Sequence, residues 1–435
     1  MYKFLVVLTI GLCVLAGCKS RSVKEPKPDN QSAQPIVNIP ADTLPPPSAK
    51  ELALVEAANL FAFDMYRELV ETSSPDTNVI FSPFSNFIAL AMVGEGARGE
   101  TADEIRKALH LDAQPDSVRA ALPDMLMRLE KKLQLDTSST FLVGDGLFSD
   151  NICPIRMDYR DWFTRLCRGE FQPVIFHDPA ELEKTRGRIN AWVNEKTKGK
   201  IPGMLSPDDI HPLTVAVLVN TLYFAGRWSY PFEPKSTSEA VFNKTVKDTI
   251  HVMMMHKKML MNQLRIFNTP TFQFLELPYK GGRFSMMILL PNETYGLPAL
   301  DSKLNISSWN EWKQAMSPLE GITIAMPRLK LENRKYLIPV LCNMGVKKLF
   351  LAGQADLNSM FAYGPVWVDN VIHSALVEVD ETGTVAAAAT AYTMPCSAPM
   401  SRTEFIVNHP YLFAIVDNEN GALLFMGRIV NPVQK

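Results

Sequence analysis

The chain lacks every short motif that marks a common catalytic centre. G-x-S-x-G, H-E-x-x-H and the phosphate-binding P-loop are absent from its 435 residues, and its seven histidines are scattered without a partner pattern that would activate a nucleophile. The glycine-rich stretch from Gly94 to Gly99 follows a predicted helix, whereas a dinucleotide site needs a strand before the glycines. We therefore expect neither enzyme activity nor a bound cofactor.

Clusters of like charge are also missing. The formal net charge is −2, and no run of five or more like charges occurs. Nucleic-acid binding requires clustered Lys and Arg that neutralise phosphates, so nucleic acid is excluded as a partner. The hydrophobic share of 47% and charged share of 21% are typical of a globular protein with a large core.

The six cysteines show no metal-binding or redox spacing. No CxxC pair and no Cys/His ligand pattern is present, which argues against a zinc, redox or other metal site. Cys153 and Cys167 could form a disulfide in an envelope compartment, but buried thiols are an equal alternative because sequence does not reveal connectivity.

The N-terminus has the layout of a secretory signal. One early Lys precedes an apolar run from Phe4 to Leu15, which is too short for a comfortable membrane span. The following quartet, Leu15-Ala16-Gly17-Cys18, resembles the bacterial lipobox, which implies that Cys18 is acylated and becomes the mature N-terminus. The lipid would then tether the protein to a membrane without a transmembrane helix.

A Pro-rich stretch separates this anchor from the folded part. Residues 19–47 contain Lys, Pro, Ser, Gln and Asp without a periodic apolar pattern, so they predict an extended spacer. The chain then divides into a lipoprotein signal peptide at 1–17, a lipidated Cys with a tether at 18–48, and a folded domain at 49–435. We expect a bacterial cell envelope location, on the outer membrane and facing the periplasm or the cell surface, because Lys19 is not an Asp-type retention signal.

The folded part predicts an α+β protein. Ser48 with Glu51 forms a capping-box pattern before an apolar-periodic run, and Thr101 with Glu104 repeats it further along the chain. From Thr214 onward, apolar or alternating runs of strand length dominate. Helices come mostly first and strands mostly later, which is the order typical of the α+β class.

One segment fits neither a linker nor a surface helix. The stretch EVDETGTVAAAATAYTMPCS, residues 378–397, is not Gly/Ser/Pro-rich and has no amphipathic face. Its small side chains alternate on both faces from Thr384 to Thr390. Read alone, it could be an alanine-rich surface loop or a frayed helix.

The sequence resembles the serpin family over residues 49–435. The resemblance rests on NVIFSPFSNFIALAMVGEGARGETADEI, LVNTLYFAGRWSYPFEPKST, VIHSALVEVDETGTVAAAAT and FIVNHPYLFAIVDNENGALLFMGRIVNP, which follow in the family's order. Tyr411 stands where the family usually has Phe, a mild change provided that the hydroxyl finds a partner. The resemblance implies a helical N-terminal part packed on a large central mixed β-sheet, smaller sheets, and an exposed reactive loop at about 381–404.

The resemblance explains the run of small residues. A serpin's reactive loop is first exposed as protease bait and then enters a central sheet, where both faces are covered and bulky side chains would overpack. Gly383 suits a hinge because glycine adopts torsions closed to other residues. The hinge positions implied are Glu381, Gly383, Thr384, Val385, Ala386, Ala387, Ala388, Ala389 and Thr390. Val385 departs from the family, which usually has an acidic residue there.

The resemblance also implies a gate where the sheet must open. Read alone, Ser82 is an N-cap and His373 a strand-end histidine; the family pattern makes them part of a polar cluster under the sheet. Arg328 is expected to pair with Glu381 at the top of the sheet. The gate positions implied are Ser82, Ser85, Asn220, His373, Trp228 and Arg328.

The bond that a protease would cleave stays open among four candidates. Counting from Glu381 by the family's usual spacing reaches Ser397, with Cys396 adjacent, while the text APMSR resembles a Met-Ser site and nominates Met400. Arg402 would suit only a trypsin-like enzyme. The small or unbranched candidates favour elastase-like serine proteases or papain-like cysteine proteases.

The resemblance implies a monomeric inhibitor that forms a covalent complex with its target serine or cysteine protease. The alternative is a non-inhibitory serpin that acts as a binding or chaperone module, which residues that block insertion in the hinge would favour.

Overall fold

The computed structural model describes residues 44–111, 117–135, 138–201, 203–259, 263–319, 321–383 and 403–433. Its helices are α1 (Ala49–Glu71), α2 (Pro83–Gly96), α3 (Gly99–Ala108), α4 (Ser117–Leu135), α5 (Met157–Asp161), α6 (Leu182–Lys196), α7 (Leu297–Asp301), α8 (Ile306–Gln314) and α9 (Ile338–Asn343). A π-helical turn, Trp162–Leu166, continues α5.

The strands within the same residues are β1 (Val79–Phe81), β2 (Ser139–Asp150), β3 (Glu170–Val174), β4 (Ala216–Gly226), β5 (Thr237–Asn243), β6 (Thr249–Met259), β7 (Arg265–Asn268), β8 (Phe272–Pro278), β9 (Phe284–Pro291), β10 (Ser317–Pro318), β11 (Ile322–Pro327), β12 (Leu329–Tyr336), β13 (Ile372–Val379), β14 (Thr403–Ile406), β15 (Tyr411–Asp417) and β16 (Leu423–Ile429). The predicted α+β class is confirmed.

Side-chain caps begin the first two helices as the sequence predicts. The Ser48 hydroxyl accepts a hydrogen bond from the Glu51 N–H at 3.2 Å, and the Glu51 carboxylate accepts one from the Ser48 N–H at 2.7 Å. Ser82 caps α2, with Pro83 in the first turn. The prediction at Thr101 was wrong: α3 begins at Gly99, and the Thr101 hydroxyl instead accepts a bond from the distant Asp356 N–H.

The largest continuous sheet is antiparallel and contains seven strands in the order β1-β16-β15-β9-β8-β7-β10. A second sheet has the order β14-β11-β6-β5, in which β14 pairs parallel with β11. Strand β14 is the first described segment after residue 402, and its pairing with β11 fixes its place in this sheet.

Two further sheets lie next to each other through β4 of one and β13 of the other, and we call them the two pieces of the central sheet. One is mixed, in the order β3-β2-β4, and the other is the antiparallel pair β12-β13. The strands β2 and β3 were not predicted, because the sequence analysis placed strands mainly after Thr214. The neighbouring edge strands of the two pieces are β4 and β13.

Helix α6 covers the mixed piece. Trp192 of α6 packs edge-to-face on Phe148 of β2 with ring centroids 5.6 Å apart, within a buried apolar cluster that also contains Val193 and Val219. Within the described part of the chain, none of the helices combines the length and the apolar character that a membrane crossing requires.

Candidate functional site

A cleft lies between the first half of β4 and the start of β13. Residues of α2 form its floor, and most of its lining is apolar. Among the described residues, no backbone ladder joins β4 to β13; a single bridge between Arg227 and Gly383 connects the chain just beyond their upper ends. The neighbouring edges of β4 and β13 are therefore not paired with each other.

Three of the predicted gate residues meet under this cleft. The Ser82 N–H donates to the His373 Nε2 at 3.0 Å, and the Ser82 hydroxyl donates to the Leu424 carbonyl at 2.6 Å. The same hydroxyl accepts a bond from the Ser85 N–H at 3.2 Å. These contacts tie the start of α2 to the start of β13.

His373 is a neutral acceptor in this cluster. Burial lowers the pKa of His373 to about 4, because a charged imidazolium loses its hydration in the interior. The ring nitrogen Nε2 that accepts from Ser82 carries no proton, so the proton of the neutral ring resides on Nδ1. Protonation of His373 in acid would therefore disrupt its hydrogen bond with the Ser82 N–H.

Asn220 lines the same cleft but bonds elsewhere. Its Nδ2 donates to Asp145 Oδ1 at 2.5 Å, which joins β4 to β2, and its buried Oδ1 has no partner among the described residues. The structure thus brings Ser82, Ser85 and His373 together and leaves Asn220 on the opposite wall.

Asp145 was missed by the sequence analysis. It is buried, and this burial raises its pKa to about 6 although the Asn220 hydrogen bond acts to lower it. The signal that could have revealed it is a single acidic residue within an otherwise apolar and glycine-containing strand, FLVGDGLF.

The predicted pair of Arg328 and Glu381 is present at the top of the sheet. Arg328 Nε lies 2.8 and 3.0 Å from the two Glu381 oxygens, and Thr237 donates a further hydroxyl bond. Burial acts to raise the pKa of Glu381, but the hydrogen bonds from Arg328 and Thr237 outweigh it and lower the pKa. The carboxylate is therefore charged and anchored at the base of the loop.

Trp228 holds the chain that leads into the loop. Its indole N–H donates to the Asp380 carbonyl at 3.0 Å, and its backbone N–H donates to the Thr382 carbonyl at 2.8 Å. The indole also stacks on Tyr279 with centroids 4.7 Å apart. The loop base is thus pinned to the end of β4.

Position 383 accommodates only glycine. Its φ of 153° is one that side chains rarely allow, and an added Cβ would lie 2.0 Å from the Gly226 carbonyl oxygen. The close approach of the Gly226 backbone leaves no room for a side chain at the position where the sequence predicts the hinge.

The remaining predicted positions lie outside the described residues. These are the lipidation site, the rest of the hinge and the four bond candidates: Cys18, Thr384, Val385, Ala386, Ala387, Ala388, Ala389, Thr390, Cys396, Ser397, Met400 and Arg402.

Two open questions about individual side chains are answered. Cys153 and Cys167 both remain thiols, so the disulfide alternative was wrong. The Tyr411 hydroxyl is buried and has no hydrogen-bond partner among the described residues, so the condition for a mild replacement is not met.

No group of His, Cys, Asp and Glu side chains in the part of the chain that the structure describes is arranged to hold a metal ion.

Comparisons with known proteins agree on one family. The family model described as "Serpin (serine protease inhibitor)" matches residues 56–432. A leukocyte elastase inhibitor from Xenopus tropicalis is 37% identical over 387 residues, covering 87% of this chain and 99% of that protein. An uncharacterised serpin-like protein from Thermococcus kodakarensis is 33% identical over 447 residues, covering 99% of both chains.

A solved structure shows the same architecture. The crystal structure of Serpin48, described as a highly specific serpin in the insect Tenebrio molitor, matches with a TM-score of 0.76 and 28% identity, covering 88% of this chain and 99% of that one.

Proposed function

The chain belongs to the serpin family, and from that membership we propose that it inhibits proteases as a suicide substrate. The serpin fold predicted from the sequence is confirmed by the likeness to a solved serpin, and relatives such as the leukocyte elastase inhibitor support a role in protease inhibition. In the proposed mechanism, cleavage of the reactive loop is followed by insertion of the loop into the central sheet.

The observation that carries this proposal is the cleft between β4 and β13. Both of its edges present backbone groups without a described ladder between them, and its apolar lining suits the small side chains of residues 384–390. The chain enters the loop at Gly383, directly beside the end of β4. A strand that starts at this hinge can enter between the two pieces of the sheet.

The chemistry is supplied by the target protease. Its Ser or Cys nucleophile adds to a loop carbonyl, and the intermediate collapses by expelling the protonated amine of the following residue. The N-terminal part of the loop then stays attached to the protease as an ester or thioester. Insertion before water cleaves that bond traps the enzyme.

Insertion also supplies the free energy for trapping. About fifteen inserted residues at ~3.3 Å each would move the attached protease on the order of 50 Å. Each new ladder hydrogen bond contributes roughly 1 kcal/mol, and apolar burial adds to this. The inserted form should therefore be far more stable than the native form.

We propose elastase-like serine proteases or papain-like cysteine proteases as targets. Cys396, Ser397 and Met400 place small or unbranched side chains at the cleaved bond, which suits a shallow primary pocket. Cleavage at Arg402 by a trypsin-like enzyme would lengthen the inserted tether and weaken the distortion of the protease.

The test exposes the protein briefly to a panel of proteases, followed by an SDS gel and mass spectrometry of the loop. We expect a covalent complex with an elastase-like enzyme and cleavage at Cys396, Ser397 or Met400. A stable trypsin complex cleaved after Arg402, with elastase only digesting the loop, would refute the target class. Cleavage without any covalent complex would refute inhibition and favour a non-inhibitory binding or chaperone module.

A hinge variant tests insertion itself. Thr384→Arg would bury an unpaired charge in the sheet, so we expect cleavage as a substrate without a covalent complex. Thr403→Arg is the matched control, because Thr403 follows every candidate bond and would not insert. Unchanged inhibition by Thr384→Arg would contradict the mechanism.

We also propose that residues 1–17 are a lipoprotein signal peptide and that lipid on Cys18 holds the domain at 49–435 on a bacterial outer membrane through the tether at 18–48. The lipobox-like quartet supports this proposal. Cys18→Ala should release the protein from washed membranes. Retention of that variant after a high-salt wash would contradict the anchor.

A further inference from the structure

The residues that precede α1 are bonded to helix α4. We call residues 44–48 the entry segment; it contains the run Pro45-Pro46-Pro47. The Arg128 guanidinium on α4 donates from Nη1 to the Pro45 carbonyl at 2.5 Å and from Nη2 to the Pro46 carbonyl at 3.1 Å. The entry segment is therefore attached to a helix that lies far along the chain.

The proline run suits this attachment. Proline has no backbone N–H and its ring fixes φ at about −65°, so the run offers only carbonyl acceptors and loses little conformational freedom when it is held. Pro45 and Pro46 are exposed. The hydrogen bonds from Arg128, rather than burial, therefore hold this part of the chain.

Arg128 is itself fixed by acidic partners. Its side chain is 9% exposed, and its Nε lies 2.9 Å from Glu51 Oε1 on α1. Burial acts to raise the pKa of Glu51, but the hydrogen bonds from Arg128 and Ser48 outweigh it and lower the pKa, so the carboxylate is charged. Nη1 of Arg128 also lies 3.5 Å from Glu419, between β15 and β16. Charge-assisted bonds on several sides give the guanidinium one orientation towards the entry segment.

Lys132 extends the same group of charges. It lies one helical turn after Arg128, on the same face of α4. Its buried Nζ lies 2.5 Å from Asp417 Oδ2 and 2.5 Å from Glu419 Oε2. Helix α4 is thus joined by ion pairs to the end of β15 and the turn that follows it, so Arg128 stands on a firmly packed part of the domain.

We propose that Arg128 clasps the entry segment to the domain, so that a protease that cuts the chain before Leu44 releases a whole inhibitor from the proposed membrane anchor. In such a cut, water adds across the peptide bond and leaves a carboxylate on the membrane-bound part and an amine on the released part. The clasped prolines and α1 stay together on the released part. The clasp does not depend on the proposed function, whereas the activity of the released part rests on it.

The experiment cuts the full-length protein at two defined places. The recognition sequence of a site-specific protease is inserted between Thr43 and Leu44 in one protein, and between Pro47 and Ser48 in another. Thermal unfolding is measured before and after each cut. The cut before Leu44 should leave the unfolding midpoint unchanged. The cut after Pro47 detaches the clasped prolines and should lower the midpoint by about 2–4 °C.

The same cuts in Arg128→Met test whether Arg128 is the group that holds the entry segment. This variant has already lost both bonds to the prolines, so the cut after Pro47 should leave its midpoint unchanged. Lys131→Met is the matched control, because it removes a charge from an exposed position of α4 and should keep the full drop. The two cuts in the wild-type background provide the test if Arg128→Met does not fold.

The unfolding data decide on the clasp. Equal midpoints before and after the cut behind Pro47 would overturn it, and so would an equal drop in wild type and Arg128→Met. A midpoint of the uncut protein that rises with protein concentration would indicate that two copies exchange their entry segments, which contradicts a clasp within one chain.

A covalent-complex assay decides on the released part. Protein cut before Leu44 should form the complex with an elastase-like protease as well as uncut protein does. A complex formed only by uncut protein would contradict the release of a whole inhibitor. Absence of a complex in both samples would contradict the proposed function, while the midpoints still decide on the clasp.

Discussion

Replacing either of two buried tyrosines by Phe should change the free energy of unfolding, but in opposite directions. Tyr411 and Tyr159 are 1% and 2% exposed, and burial raises the pKa of both hydroxyls, so both are neutral. The Tyr159 hydroxyl donates to the Met92 carbonyl at 2.9 Å, whereas the Tyr411 hydroxyl has no partner among the described residues. Replacement by Phe removes one oxygen in each case and leaves the ring in place.

The expected change in the free energy of unfolding depends on whether each hydroxyl is hydrogen-bonded. An unsatisfied buried polar group costs about 1–3 kcal/mol, so Tyr411→Phe should raise the free energy of unfolding by that amount. A satisfied hydrogen bond contributes roughly 0.5–1.5 kcal/mol, so Tyr159→Phe should lower the free energy of unfolding by about 1 kcal/mol. The two variants should therefore differ by about 2–4 kcal/mol.

Urea unfolding at 25 °C, with the midpoint and slope of the first transition, measures both changes. The slope serves as the control, since a substitution that leaves the native packing intact leaves the slope unchanged. A destabilised Tyr411→Phe protein would refute the reasoning, because it would show that the hydroxyl has a partner or that the ring moves when the oxygen is removed.

Three further predictions concern the sheet and the loop base. Burial raises the pKa of Asp145 to about 6 from an unfolded value near 3.9, so its stabilising contribution is present below about pH 4 and is lost as pH rises through 6. Between pH 4 and 7, the free energy of unfolding of Asp145→Asn should therefore rise by roughly 3 kcal/mol relative to wild type, as measured by urea unfolding. A difference that stays constant with pH would contradict the raised pKa. Gly383→Ala should cost more than Gly282→Ala in thermal unfolding, because both glycines have positive φ but only Gly383 has backbone within contact of an added Cβ; equal losses would show that torsion alone matters. Arg328→Met leaves the buried Glu381 carboxylate without its cation and should lower the free energy of unfolding by about 1–3 kcal/mol, whereas a loss below ~0.3 kcal/mol would indicate a pair that solvent already screens.

The starts of α1 and α2 could be predicted because they depend on local chemistry. The capping box at Ser48 and Glu51 needs only residues three positions apart, and the structure confirms it. The same pattern at Thr101 failed because the threonine hydroxyl bonds to Asp356, far along the chain, and leaves the cap position to Arg98. A local rule gives way when a distant partner competes for the same oxygen.

Some contacts of the predicted gate residues could be expected from the family pattern. It joined Ser82 with His373 and Arg328 with Glu381, and the structure places each pair within hydrogen-bond distance although the partners are distant in sequence. It did not include Asp145, because no local rule indicates which residue faces Asn220 across two antiparallel strands. That pairing depends on strand register, which sequence alone does not provide.

The sequence by itself determined the parts that need no distant partner: the capped helices, the small side chains of residues 384–390, and a glycine at the hinge. Only the tertiary structure decided that the Tyr411 hydroxyl has no partner among the described residues, that Asp145 is buried with a raised pKa, and that Lys200 pairs with Glu378 of β13. The physical reason is that propensity, side-chain volume and torsional freedom belong to single residues. Hydrogen-bond satisfaction and the desolvation of a charge instead depend on which distant segments the fold packs together.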